Sequence, residues 1–510
     1  MGIVGFGSPF FASFLSVLAA SVGYAIIWHV LRLESRARQF FLSSFWFFGV
    51  SLIQLSWMTA IEYQGIYIIV VYLALCLMIG VQFGLFTLCA CRAFSLLTVC
   101  ALAALWTLVE WGRLFFLSGF SLAPVGLALT GYTAPMQFAS LFGILGLSFW
   151  VMLTNLMFFS KKIILFCFVA AAPYLFGFLH IMYHNESLKA SPREAVCLVQ
   201  PGLSPDQKIP LQGRIQRFIP PFHQWERLFS WFARMKEIPK IIVFPEAALP
   251  FSHAFPIASQ EEAIEMIQSY FPSSVEPAKM DGLVSHDFFA QFLSDYYNAD
   301  VIIGLDYELQ DVAHSSAFCF SPYSKKTLRY DKRILLPLAE YLPFKWLKKW
   351  ASSYGITSFF SPGKQAEVFS CKKKYAVSIC YEETFSHIVR EGRLLGAGVL
   401  VNITNDGWYF FSRLPEYHFF LGRLRSVENG VPLLRACNTG VTSCIDALGR
   451  TVSVLREDSG ILVVHMPTYQ YKTLYTFWGD RGILVICFVI IGIQLFMLAQ
   501  KLMRRINFCR

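Results

Sequence analysis

Charged side chains are scarce in this chain and unevenly spread. Asp, Glu, Lys and Arg make up 15% of its 510 residues, against ~25% in an ordinary soluble protein. Only ten of them fall within residues 1–184. Together with a hydrophobic content of 55%, this excludes a single soluble domain and a disordered chain. Metal-ligand spacing is missing too: Cys89 and Cys91 form C-x-C inside an apolar run, and neither C-x-x-C nor H-E-x-x-H occurs. The sequence also has no P-loop, no G-x-S-x-G elbow, no internal repeat and no low-complexity tract. We therefore expect no metal and no cofactor.

Long apolar runs take the place of the missing charge. A membrane-spanning helix needs roughly 20 apolar residues. Runs of that kind cover 10–31, 40–61, 65–90, 94–116, 133–159, 163–183 and 482–498. Basic residues follow alternate runs: Arg32, Arg36 and Arg38, then Arg92, then Lys161 and Lys162, and Arg504, Arg505 and Arg510 after the last. By the positive-inside rule these ends are cytoplasmic, which puts the block between the sixth and seventh runs on the far side. The net charge of +10 is then topological and implies no nucleic-acid partner. Six runs ahead of a far-side domain would leave Met1 outside, so we expect a first helix to be missing and the native start to lie upstream.

The expected domains are 1–186, helical and in the membrane; 187–477, globular; and 478–510, a last span with a basic tail. In the globular block, strand-like runs at 195–199, 241–244, 301–304, 376–379 and 399–404 alternate with helix-like stretches such as 261–270 and 287–297. This predicts an α/β domain with helices covering a sheet. Pro, Ser and Gly around 271–282 suggest an exposed insertion. Phe344–Trp350, F-K-W-L-K-K-W, mixes Trp and Lys as interfacial segments do and suggests an arm dipping toward the membrane.

Among thirteen cysteines, Cys380 stands out by position. It ends a strand-like run and precedes a helical stretch, a turn whose free N–H groups favour a thiolate and a developing oxyanion. Glu246, in F-P-E after another run, is placed to deprotonate a thiol; the alternative is a carboxylate at a helix start. Lys332, in Y-D-K-R, is a fixed cation for an oxyanion or else a solvated surface lysine. Cys197, Cys319, Cys371, Cys437 and Cys444 share the far-side block, and sequence alone leaves their pairing open. Cys380 should be a free thiol.

The order F-P-E, Y-D-K-R, I-C-Y-E resembles the carbon–nitrogen hydrolase superfamily, whose fold is an α-β-β-α sandwich. The membrane flanks narrow the resemblance to the apolipoprotein N-acyltransferases of the Gram-negative cytoplasmic membrane. W-T-L-V-E-W-G-R at 106–113 with S-G-F at 118–120, Glu340 in L-P-L-A-E-Y-L-P, N-D-G-W-Y at 405–409 and the stretch 423–443 extend the likeness over nearly the whole chain. Gly407 and Thr439 depart from the family's usual Ala and Asn. The resemblance implies a catalytic set of Glu246, Lys332 and Cys380, with Glu340 orienting Lys332. It also implies substrate contacts from Tyr381, Glu382, Asn405, Trp408, Glu110 and Arg113, the last two being ionisable residues inside an apolar run. The implied donor is a phospholipid, the acceptor a diacylated apolipoprotein and the setting the periplasmic side of the inner membrane, with the enzyme a monomer. A membrane-tethered amidase that uses water as acceptor is the main rival. A transporter is excluded by too few intramembrane charges, and an inert scaffold by the intact Glu–Lys–Cys set.

Overall fold

The computed structural model describes residues 13–508 apart from 93, 212, 273–281, 311, 325, 344–358, 410, 411, 457 and 458. The proposed interfacial arm and most of the suggested insertion lie outside the described residues. Phe271, at the edge of that insertion, is buried.

Helices account for the apolar runs. Among the described residues, five are long and apolar enough to cross a membrane: Tyr67–Ala90, Leu96–Arg113, Ala139–Phe159, Ile163–Ala190 and a last one over Asp480–Arg504. The first run forms a shorter apolar helix over Ser16–Leu31. The second forms Arg36–Gln54, whose Arg36, Arg38, Gln39 and Gln54 reduce its apolar character. Ile163–Ala190 continues past the boundary expected at residue 186.

The globular block is an α-β-β-α sandwich. Its strands are β1 (Arg193–Gln200), β2 (Ile241–Val243), β3 (Ala258–Ser259), β4 (Leu283–Val284), β5 (Asp300–Leu309), β6 (Val312–Phe320), β7 (Leu328–Asp331), β8 (Val368–Ser370), β9 (Lys374–Ile379), β10 (Val399–Thr404), β11 (Leu433–Cys437), β12 (Thr442–Ile445), β13 (Thr451–Leu455) and β14 (Gly460–Pro467). One six-stranded sheet has the order β14-β1-β2-β5-β6-β7 and the other β13-β12-β11-β10-β9-β8. β1, β2 and β5 run parallel, as do β9, β10 and β11.

Strand alternation sorts the side chains between two layers. Val196 and Leu198 of β1 face the inter-sheet core with Ile379, Val401 and Ile403. Cys197 and Val199 face outward onto the helices Pro221–Phe232 and His286–Tyr297. Strands buried on both faces need apolar residues at every position, which is why these runs stand out in the sequence.

The membrane helices and the sandwich share a core. Tyr381, Phe385, Tyr417, Leu421 and Leu424 pack in one cluster with Trp28, Phe83 and Trp106. This shared core brings the turn after β9 onto the membrane block.

Candidate active site

Three strand ends converge. Glu246 follows β2, Lys332 follows β7 and Cys380 follows β9. β2 and β9 are parallel strands, and the carboxyl ends of parallel strands are where open α/β sheets collect ligands; β7 pairs antiparallel with β6. No helix begins at Glu246, and Lys332 is fully buried. Neither of the bland alternatives for these two residues fits.

Lys332 is the hub. Its Nζ donates to Glu246 Oε1 at 2.9 Å and to Glu340 Oε1 at 2.6 Å. Glu340 Oε2 in turn accepts the Leu336 N–H at 2.8 Å. Burial alone would lower the Lys332 pKa, but the carboxylates of Glu246 and Glu340 outweigh it and hold the ammonium well above the ordinary lysine range. Burial raises the Glu340 carboxyl, partly offset by Lys332.

Cys380 begins a short 3-10 turn, Cys380–Thr384, ahead of the helix Ser386–Leu394. Its φ is 51°, the left-handed region that non-glycine residues seldom adopt. Its carbonyl is held by Asn402 Nδ2 at 3.4 Å and by His418 Nε2 at 3.1 Å. The expectation of a stabilised thiolate is corrected here. Burial, reinforced by Glu246 and only partly countered by Lys332, pushes the Cys380 thiol well above the usual cysteine range. These surroundings favour the thiol over the thiolate.

Glu382, expected at the substrate, is fully buried and engaged by protein groups. It accepts from Ile379 N–H (2.8 Å), Arg333 N–H (2.6 Å), Ile334 N–H (3.3 Å) and the Tyr330 hydroxyl (2.9 Å). It therefore staples the Lys332 loop to the Cys380 turn. Tyr381 is buried and donates to the Gly119 carbonyl at 3.0 Å. Asn405 Oδ1 accepts from Gly407 N–H and Asn438 Nδ2. Trp408 is half-buried and meets Tyr63 edge to face at 6.3 Å.

Glu110 and Arg113 do not pair with each other. Glu110 Oε1 accepts from Trp106 Nε1 at 2.8 Å and Val125 N–H at 2.9 Å, while Arg113 Nε donates to Gln82 at 3.0 Å. Glu110 Oε2 and Arg113 Nη2 are left unpartnered, and both residues line a small cavity with Phe120, Ser121, Thr384 and Phe385.

Some neighbours were not singled out in the sequence, although Asp406 and Arg435 fall within its motifs. His418 bridges Asp406 Oδ1 (3.1 Å) and Glu383 (3.2 Å) beneath Cys380. Arg435 completes that buried group through Glu383 and Asp406. Burial would raise Asp406, but His418 and Arg435 hold it below the usual carboxylate range. Lys208, on the single turn Pro205–Lys208, is buried with no partner for Nζ among the described residues, and lies in the field of Glu246 and Asp306. Among the described residues no cluster of His, Cys, Asp and Glu could hold a metal ion.

The carbon-nitrogen hydrolase family model matches residues 220–473. The model of the apolipoprotein N-acyltransferase N-terminal domain matches residues 6–157. The apolipoprotein N-acyltransferase of Chlamydia caviae is 32% identical, covering 96% of this chain and 95% of its own. That of Chlamydia pneumoniae is 31% identical (95% and 94%), and that of Haemophilus ducreyi 27% (96% and 93%). Among solved structures, an amidase from Nesterenkonia sp. aligns at 18% identity over 55% of this chain and 92% of its own, with a TM-score of 0.36. Full-length identity above 30%, over a membrane block joined to a carbon-nitrogen hydrolase sandwich, places the chain in the apolipoprotein N-acyltransferase family.

Proposed function

We propose that the enzyme moves a fatty acyl chain from the sn-1 position of a phospholipid to the α-amine of the diacylglyceryl-modified N-terminal cysteine of an apolipoprotein, through a thioester on Cys380. The observation that carries this reading is the Lys332 ammonium bonded to both Glu246 and Glu340 at the strand ends that also bear Cys380. Glu246 takes the Cys380 proton as sulfur attacks the ester carbonyl. Lys332 and the N–H following Cys380 stabilise the oxyanion. Collapse expels the lysophospholipid, which leaves with the proton from Glu246. The acceptor amine then attacks the thioester and loses its proton to Glu246, and the thiol is restored. Splitting the exchange in two is the general logic of covalent catalysis.

Both substrates sit in the bilayer, which gives the membrane helices their role. The globular block faces the periplasm in this reading, on the argument from basic connectors, and the enzyme acts as a monomer. Trp408 and the cavity of Glu110 and Arg113 are the surfaces offered to lipid. Tyr381, Glu382 and Asn405 set the frame around them.

With phospholipid and no acceptor, the acyl-enzyme should accumulate as a mass increase of one fatty acyl chain, released by neutral hydroxylamine. Cys380→Ala should show no adduct, and Cys380→Ser should be badly impaired. Glu246→Ala and Lys332→Ala should lose on the order of 10²-fold or more in acylation, with Glu340→Ala losing less. Lipopeptide acylated without any thioester would refute the two-step scheme. A thioester cleared by water within seconds would favour the tethered amidase.

A further inference from the structure

Cys319 and Cys371 come from different sheets. Cys319 lies on β6, fully buried on the inter-sheet side, and Cys371 follows β8 in the turn to β9. Their Sγ atoms stand 2.9 Å apart. The approach is fixed independently of the sulfurs. Asp300 accepts from the Ser321 hydroxyl (3.0 Å) through one oxygen and from Lys372 N–H (3.2 Å) and the Tyr375 hydroxyl (3.3 Å) through the other. Ser321 lies two residues after Cys319 and Lys372 directly after Cys371, so one carboxylate ties both segments together. No other thiol pair among the described residues is in such contact. Cys437, for one, is engaged by Arg435 and the Val441 carbonyl.

We propose that Cys319 and Cys371 are joined by a disulfide in the mature enzyme, clipping the two sheets together. The inference rests on the globular block facing an oxidising compartment. The oxidant is a protein disulfide of the dithiol-exchange class. Cys371 attacks first: it is half-buried, and the hydrogen bond from Cys319 holds it below the ordinary thiol range, whereas the same bond and burial raise Cys319. The Cys371 thiolate attacks a donor sulfur and expels one donor thiolate. Cys319 then attacks Cys371 Sγ and releases the second. Two electrons and two protons pass to the donor, which leaves as two thiols.

The sequence separation of the pair is 52, and the enclosed loop contains Lys332 and Glu340. Cys380 lies at the other end of β9, ~20 Å away at ~3.3 Å per residue, so the clip does not compete for the nucleophile. Its effect is to hold the segment bearing Lys332 against the hairpin that ends in Cys380.

The test uses full-length enzyme quenched with N-ethylmaleimide in its own membranes and digested without reductant. The expected result is a linked peptide pair, two hydrogens lighter than the separate thiols, containing Cys319 and Cys371 but not Cys380. Cys371→Ser should lower Tm by roughly 5–10 °C. Reductant should produce the same fall in wild type and none in the variant. Both residues fully alkylated in quenched protein would overturn the proposal. The exposed position of Tyr323, changed as Tyr323→Cys, reports orientation through an impermeant maleimide on spheroplasts. Labelling there with a free Cys319–Cys371 pair overturns the disulfide alone. Absence of labelling with a free pair overturns the orientation and the disulfide with it.

Discussion

Charge around Glu246 is balanced by more than the Lys332 hub. Lys208 is buried within its field, with no hydrogen-bond partner for Nζ among the described residues, and burial, opposed by Glu246 and Asp306, brings its pKa down to about 7. Asp306 is pushed up to about 7 by burial and Glu246. The unfolded chain holds the Lys208 proton up to ~10.4, so from pH 7 to that value the unfolded state binds more protons and stability rises with pH. Below pH 7 the full cost of the buried cation is present. Asp306 acts the other way, its folded form keeping a proton that the unfolded carboxylate loses, so its contribution falls as pH rises toward 7. Lys208→Met should therefore stabilise the fold at pH 6 by about 1–3 kcal/mol and flatten the alkaline rise in Tm. A slope between pH 7 and 9 unchanged in the variant would remove Lys208 from this role. A Cβ on Gly407 would stand 3.0 Å from Thr439 Oγ1, so these two positions adjoin.

The residues proposed for catalysis sit at strand ends, and strands buried on both faces were the legible elements. β10, V-L-V-N-I-T, is buried at every position, so its apolar run is visible without any partner. β6, V-A-H-S-S-A-F-C-F, begins exposed and carries His-Ser-Ser in its first half, and so blends into loop composition. Glu246 and Cys380 were legible because each sits inside a short motif at the end of such a run, whereas Lys332 follows the mixed β7, L-R-Y-D, and was marked by its motif alone. His418 and Lys208 were not, because their partners lie far away in sequence and a lone charge on a helix or single turn has no period to betray it; Asp406 lay inside the quoted N-D-G-W-Y motif without its buried partners being visible. Register between elements has a direct test. On β5, a Cβ at Gly304 would meet Pro245 O at 2.5 Å and Glu246 Cα at 2.7 Å. Both are backbone atoms that cannot step aside. Gly304→Ala should displace Glu246 and lower acylation on the order of 10²-fold, with KM changed far less than kcat. Wild-type turnover from Gly304→Ala would show that the F-P-E turn tolerates movement.

The two blocks are one body at the scale of the molecule. Tyr381, Phe385, Tyr417 and Leu421 belong to the same apolar cluster as Trp28, Phe83 and Trp106. Polar links reinforce it: Ala123 N–H donates to the Tyr417 hydroxyl (2.8 Å), Ile144 N–H to Glu428 (2.9 Å) and Ser118 to the Tyr341 hydroxyl (2.5 Å). Apolar patches larger than a few hundred Å² are rare on soluble monomers. A fragment of residues 191–470 should therefore aggregate or require detergent, and size-exclusion chromatography without detergent checks this. A monodisperse, soluble fragment would mean that the sandwich closes its own surface. This shared core was not legible in the sequence, since the apolar positions of Leu414–Asn429 are interleaved with Arg423, Arg425 and Glu428, all buried here.

The pairing of β1 with β14 bears on how the protein is made. Arg193 lies opposite Pro467 and Gln200 opposite Gly460, so the first strand of the sandwich waits for the last. A ribosome must complete nearly the whole globular block before that edge is covered. Until then β1 offers a bare, apolar rim of the kind that recruits neighbouring chains, and contacts this distant in sequence form slowly. Translation arrested ahead of Gly460 would thus release a nascent chain with an open seam, making premature termination there a matter for quality-control proteases rather than a source of partly working enzyme.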